Sequence, residues 1–202
     1  MLKLYYAPGA CSLSPHIALR EAGLSFELEQ VNLKEKKTKS GDDYGKINPK
    51  GYVPALKLDD GYVLTEGPAI VQWIADQKPG SHLAPANGTP ERYKLQEWLG
   101  YINSEIHKNF SPLFNPATPD ATKANQVQYL AKRFALIDEH LEGKDYLTGS
   151  QFTVADGYLF TVTNWANFVK FDLKDYPNLR AFQARVAARP KVQEALKAEG
   201  LA

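Results

Sequence analysis

The chain has 202 residues, 44% hydrophobic and 23% charged, enough for one large or two small globular domains with a packed core. Its 24 basic and 23 acidic residues leave a formal charge of +1, so no global field favours nucleic acid or an anionic membrane, and charge recognition has to be local. No apolar run approaches the ~20 residues of a membrane span, the amino terminus lacks the layout of a signal peptide, and one cysteine cannot staple a secreted fold; the expected setting is reducing cytoplasm.

The first eighty residues alternate strand and helix. Leu2 to Tyr6 reads as a short apolar strand, Pro8-Gly9 as a sharp turn, and Leu13, Ile17 and Ala18 as the buried stripe of a helix from Ser12 to Ala22. A second strand, Phe26 to Val31, leads into a polar loop. Pro54 to Leu58 and Tyr62 to Leu64 flank Asp59-Asp60-Gly61, a hairpin signal in which Asp-Gly supplies the positive φ of a tight turn, and a helix follows. Pro54 cannot donate to a ladder, so it belongs at a strand edge or special turn, and the local sequence is compatible with a cis Val53-Pro54 bond.

From Gln77 to Pro90 the composition shifts to Pro, Gly, Ser and Asn, the signature of an interdomain linker. Every later segment reads as helix. Tyr93, Leu95, Trp98, Leu99, Ile102 and Ile106 recur at helical spacing between Arg92 and Phe110, and Val127, Leu130, Phe134 and Ile137 do so between Thr122 and Leu141. Pro112 and Pro116 are expected to break the chain between them. Thr153-Val154-Ala155-Asp156 has the arrangement of a capping box opening another helix.

Cys11, the only cysteine, falls at the junction of the first strand and helix. Unpaired N–H groups and the positive dipole end at a helix start favour an anion, which predicts a reactive thiolate; the plainer reading is a small residue filling a gap. The position three residues on, where a Cys-x-x-Cys redox site has its second cysteine, is Ser14. No internal disulfide can form, so a sulfur partner has to come from outside, and glutathione is the abundant small thiol. His107 by itself is a helix residue like any other, and the run Lys34-Glu35-Lys36-Lys37-Thr38-Lys39 reads as a solvated loop.

Taken together, Cys11 after the Tyr5-Tyr6-Ala7-Pro8-Gly9-Ala10 turn, Val53-Pro54, Thr65-Glu66-Gly67, the capping box and His107 resemble bacterial glutathione S-transferases of the Beta class over essentially the whole chain. The resemblance implies an α/β thioredoxin-like amino-terminal domain over 1–80 that binds glutathione, a linker over 81–89, an all-α domain over 90–202 that completes the electrophile site, and a homodimer. It implies catalytic roles for Cys11 and His107, with the imidazole near the cysteine sulfur. Val53 would offer its backbone to the cysteinyl unit of glutathione while Pro54 holds that edge open. Glu66 would take the γ-glutamyl ammonium, the N–H of Gly67 its carboxylate, and Lys36 the glycyl carboxylate. Ser104 and Glu105 would add contacts, Glu105 toward the partner subunit's ligand. Gly67 and Gly100 stand where relatives carry Ser and Asn, so side-chain contacts there are absent. Phe110, Phe114, Trp165 and Val169 are the expected electrophile pocket, against a plain reading as helical core.

Three activities share this pattern. The first is conjugation of glutathione to hydrophobic electrophiles, with glutathione as co-substrate and no metal. The second is a monothiol disulfide reductase or peroxidase working through a Cys11 mixed disulfide. The third is a non-catalytic module that binds ligands or a protein partner.

Overall fold

The computed structural model describes all 202 residues, which form two compact units: Met1–Ala84 with Arg189–Ala202, and Pro85–Ala188. In chain order the first unit contributes β1 (Leu2–Tyr6), α1 (Leu13–Glu21), β2 (Phe26–Asn32), β3 (Lys37–Thr38), α2 (Tyr44–Ile47), β4 (Ala55–Lys57), β5 (Val63–Thr65) and α3 (Gly67–Gln77). The second contributes α4 (Pro90–Tyr101), a π-helical turn (Ile102–His107), α5 (Lys108–Phe114), α6 (Asp120–His140), α7 (Val154–Thr163), α8 (Trp165–Phe168) and α9 (Pro177–Ala187). Helix α10 (Pro190–Ala198) returns to the first unit.

The first unit is a five-stranded sheet in the order β3-β2-β1-β4-β5, with β1 parallel to β2 and the other pairs antiparallel. This β-α-β unit followed by a β-hairpin and helix is the expected thioredoxin-like layout. Strand alternation splits the adjacent tyrosines of β1 between the two faces of the sheet. Tyr6 meets His16 of α1, whereas Tyr5 meets Tyr44 of α2 and shares a buried cluster with Val31, Val53 and Ala55. The hairpin turn closes through Gly61 at φ +91°, with Leu58 N–H donating to Tyr62 O at 2.8 Å and Tyr62 N–H to Asp60 Oδ1 at 2.9 Å. The Val53–Pro54 bond is cis. Strand β3 lies in the stretch expected to be a polar loop; two residues pairing with the end of β2 are too short to leave an alternating signature.

The second unit is all helical. Every residue of α7 is buried, and the capping box at its start is formed. Asp156 Oδ2 accepts from Thr153 N–H and from Thr153 Oγ1, each at 2.8 Å, and Oδ1 accepts from Leu147 N–H at 2.8 Å. Burial outweighs these three donors and pushes the Asp156 carboxyl up from an ordinary 3.8 to about 6.

Three expectations change. Residues 189–202 belong to the first unit, because α10 packs along α1 and Arg189 pairs with Glu21 at 2.7 Å; the helical unit ends at Ala188. Pro112 sits inside α5 and the chain breaks only after Phe114. One missing N–H removes a single helix bond, and the stacked rings of Phe110 and Phe114 span the site of the loss. Tyr93 and Val127 face outward, while Arg92 is buried in their unit and donates to Pro85 O at 2.9 Å.

Replacing Asp156 with Ala strands three buried donors, and breaking such a network costs about 3–5 kcal/mol; urea unfolding should show that loss. The pH dependence has a fixed sign. With a carboxyl that holds its proton longer folded than unfolded, stability falls as pH rises from about 4 to about 6 and is level above. Subtracting the Asp156→Asn unfolding profile from that of the parent should reveal this fall.

Candidate active site

Cys11 lies half-buried two residues before α1, at the end of a loop tied on all sides. Ser12, fully buried, accepts from Ala7 N–H at 3.1 Å and donates to Ala7 O at 3.2 Å. Gly9, at φ +70°, donates its N–H to Glu199 Oε2 at 3.0 Å. The other oxygen of Glu199 is 2.8 Å from His16 Nδ1, both side chains being wholly shielded from solvent. Arg20 Nε donates to His16 Nε2 at 2.8 Å. A guanidinium can only donate, so Nε2 bears a lone pair and His16 is neutral with its proton on Nδ1. Both ring nitrogens of His16 are thus engaged within its own unit, which makes it a structural residue.

The thiol of Cys11 donates to Val53 O at 3.3 Å. Leu13 N–H and Ser14 N–H are already bonded to Ala10 O and Cys11 O, so the first-turn amides are not the unpaired donors expected from sequence. What the helix offers the sulfur is its dipole, while the bond to a carbonyl favours the protonated thiol.

Residues Lys50 to Pro54 form the scaffold on which the other candidates of this unit meet. Tyr52 O accepts from Tyr44 Oη at 3.0 Å and Asn48 Nδ2 at 2.8 Å, which fixes the peptide entering Val53. Burial pushes the Tyr44 hydroxyl to about 12, so it stays a donor. Lys36, exposed and at φ +54°, reaches Gly51 O with its ammonium. Glu66, also at positive φ (+69°), accepts through Oε1 from Lys50 Nζ and Tyr52 Oη, both at 2.7 Å. That carboxylate holds the Lys50 ammonium and the Tyr52 hydroxyl above their ordinary values. In the sequence Lys50 and Tyr52 carry no sign of a contact with Glu66 beyond their nearness to Val53-Pro54. Gly67 opens α3, and a Cβ there would stand 4.0 Å from Pro54 Cγ, so space alone does not demand glycine.

In the second unit, Ser104, Glu105 and His107 all lie in the π turn, where Lys108 N–H bonds Asn103 O in the i→i+5 pattern. Asn109 Nδ2 donates to Ser104 O at 2.9 Å and Glu105 O at 3.0 Å, which ties its side chain back onto the turn. Glu105 Oε2 accepts from Tyr129 Oη and from Arg133 Nε at 2.9 Å, and these donors draw its carboxyl below the usual range. Its Oε1 is 3.3 Å from Ser104 Oγ. The expected ligand contact of Glu105 therefore shares a carboxylate already engaged within its own chain.

His107 Nδ1 is 2.6 Å from Tyr158 Oη, and its ring stands edge-on to Trp165 at 5.0 Å. Trp165 also meets Phe110 at 5.6 Å and Phe114 at 5.5 Å, so the expected aromatic residues and His107 form one cluster. Phe110 is fully buried, which fits its plain reading as core; Phe114 is 46% exposed. Val169, half-buried, ends α8 and donates its N–H to Trp165 O. No helix is long and apolar enough to cross a membrane, and no three His, Cys, Asp or Glu side chains gather as a metal site requires.

Comparison with known proteins places this geometry. Residues 9–77 match the family model described as "Glutathione S-transferase, N-terminal domain", and residues 101–190 match "Glutathione S-transferase, C-terminal domain". The glutathione S-transferase GstA of Escherichia coli O157:H7 is 51% identical over 201 residues, covering 99% of this chain and all of its own length. Among solved structures, a ternary complex of BphK, a bacterial GST, aligns with a TM-score of 0.97 at 62% identity over 98% of this chain and all of that one. A sphingomonad glutathione S-transferase complexed with glutathione aligns at 0.96 and 50% identity over 99% of this chain and all of its own. With both halves matched and similarity running end to end, the chain belongs to the glutathione S-transferase family.

Proposed function

We propose that the protein is a bacterial Beta-type glutathione transferase that binds glutathione on its first unit and joins its sulfur to hydrophobic electrophiles. The observation that carries this reading is the thiol of Cys11 at 3.3 Å from the carbonyl of Val53, on the same short segment that anchors Glu66. An extended thiol peptide laid along Val53 takes that carbonyl with its own backbone N–H, which brings its sulfur beside Cys11. Its amino-terminal ammonium pairs with Glu66, sharing the carboxylate with Lys50 and Tyr52, and the adjacent carboxylate takes the N–H of Gly67 at the start of the eleven-residue helix α3. Lys36 serves the far carboxylate.

In the reaction the glutathione thiol gives its proton to His107 or to water, and the sulfur lone pair forms the new S–C bond as the electrophile's leaving group departs with its electron pair. Phe114 and Trp165 supply aromatic surface for the electrophile. The family resemblance assigns His107 to the sulfur and the chain to a homodimer, with Ser104 and Glu105 as further glutathione contacts, and the single cysteine suits a reducing cytoplasm. Thiol exchange through a Cys11–glutathione mixed disulfide is the competing reaction of the same site. There Cys11 is the covalent participant, whereas in conjugation it only orients or polarises another sulfur.

Glu66→Ala removes a charge-assisted contact worth about 1.5–3 kcal/mol, so glutathione should bind roughly ten- to a hundredfold more weakly with no change in folding. Calorimetry reading parental affinity would misplace the γ-glutamyl end. Cys11→Ala should retain aryl-halide conjugation to within about tenfold, because Val53, Glu66 and His107 remain. Loss of conjugation with glutathione binding intact would require a covalent role for Cys11 in transfer.

A further inference from the structure

His107 meets a second residue through an atom that decides which of its nitrogens carries the proton. Its Nδ1 is 2.6 Å from Tyr158 Oη, and the same hydroxyl is 3.0 Å from Asn103 Oδ1. A phenol has one proton to give. Asn103 Oδ1 is a carbonyl oxygen and can only accept, so the Tyr158 proton points to Asn103 and the Tyr158 oxygen is left to accept from His107. In the neutral imidazole the proton is then on Nδ1 and the lone pair on Nε2.

The fold builds this arrangement from two elements. Asn103 and His107 lie four residues apart in the π turn, and Tyr158 comes from the buried helix α7 packed against that turn. Tyr158 is 2% exposed, so its hydroxyl is held in place. Edge-on contacts of the imidazole with Tyr158 at 5.8 Å and with Trp165 at 5.0 Å limit rotation of the ring. With the ring plane and one nitrogen both fixed, the direction of the other nitrogen is fixed too.

We infer that Tyr158 and Asn103 are positioning residues that lock His107 as the Nδ1–H tautomer, so that Nε2 is the nitrogen able to take a proton. The relevance of this lock to turnover rests on the proton-acceptor role proposed above for His107; the tautomer itself does not. An Nε2–H imidazole in the same place would present a donor where the reaction needs an acceptor.

The test is nitrogen-15 NMR of the full-length protein labelled at histidine, at a pH where the imidazoles are neutral, with His107 identified among the four histidines by its loss in His107→Gln. The expected spectrum shows His107 protonated at Nδ1 and unprotonated at Nε2. Asn103→Leu removes the acceptor, frees Tyr158 to donate toward His107, and should move the proton to Nε2; Asn103→Asp keeps an acceptor and should restore the parental pattern. In conjugation assays Asn103→Leu should lower kcat by about tenfold, a fraction of what a positioned base contributes, with KM for glutathione little changed. A parental spectrum with the proton on Nε2, or an unchanged pattern in both Asn103→Leu and Tyr158→Phe, overturns the inference. A tautomer that moves as stated while kcat stays constant upholds it and counts instead against His107 as the proton acceptor.

Discussion

The carboxylate of Glu199 holds the first strand-to-helix turn of the first unit in place. It accepts from the backbone of Gly9 and from His16, so a residue three from the carboxy terminus fixes the loop that presents Cys11. Buried carboxylates are expensive unless their lone pairs are met, and here both oxygens have partners. Arg20 completes the chain by fixing the His16 tautomer. The consequence for the fold is that α10 cannot belong to the helical unit: its end is bonded into the strand-to-helix turn 190 residues earlier.

A second constraint comes from the short segment between α2 and β4. Lys36 touches Gly51, Glu66 touches Lys50 and Tyr52, and Cys11 touches Val53. Side chains scattered over fifty-five residues of sequence are gathered by one stretch of backbone, itself pinned by Tyr44 and Asn48. Glu66 already has an ammonium beside it in Lys50, so in the proposed binding mode a ligand ammonium would join an existing charge balance instead of neutralising an isolated anion. Its exposure keeps that balance soft, because water screens the pair.

The helical unit carries an irregular π turn between α4 and α5. In the π turn Glu105 is bonded to Tyr129 and Arg133 of α6, and His107 to Tyr158 of α7. Asn109 is bonded back onto two carbonyls of that turn. Hydrophobic periodicity placed Leu95, Leu99, Ile102 and Ile106 on the buried face correctly, yet it cannot register one extra residue in a turn. Tyr93, a large aromatic residue near the same spacing, is exposed, while the buried face accommodates Arg92, whose guanidinium is bonded to Pro85 O.

Local chemistry was legible in the sequence because its causes lie within a few residues of each other. Asp60-Gly61 set the hairpin turn and Thr153 and Asp156 set the start of α7, while the residues around Val53-Pro54 only allowed a cis bond and Cys11 was legible as lying at the first strand-to-helix junction. Whatever depends on a partner distant in sequence was decided only by the tertiary structure. The Lys50 and Tyr52 clamp on Glu66, the thiol bond to Val53, the Tyr158 contact of His107 and the return of α10 to α1 have no local pattern. A hydrogen bond is specified by two groups meeting at about 3 Å, and sequence spacing fixes that distance only inside a single turn or helix.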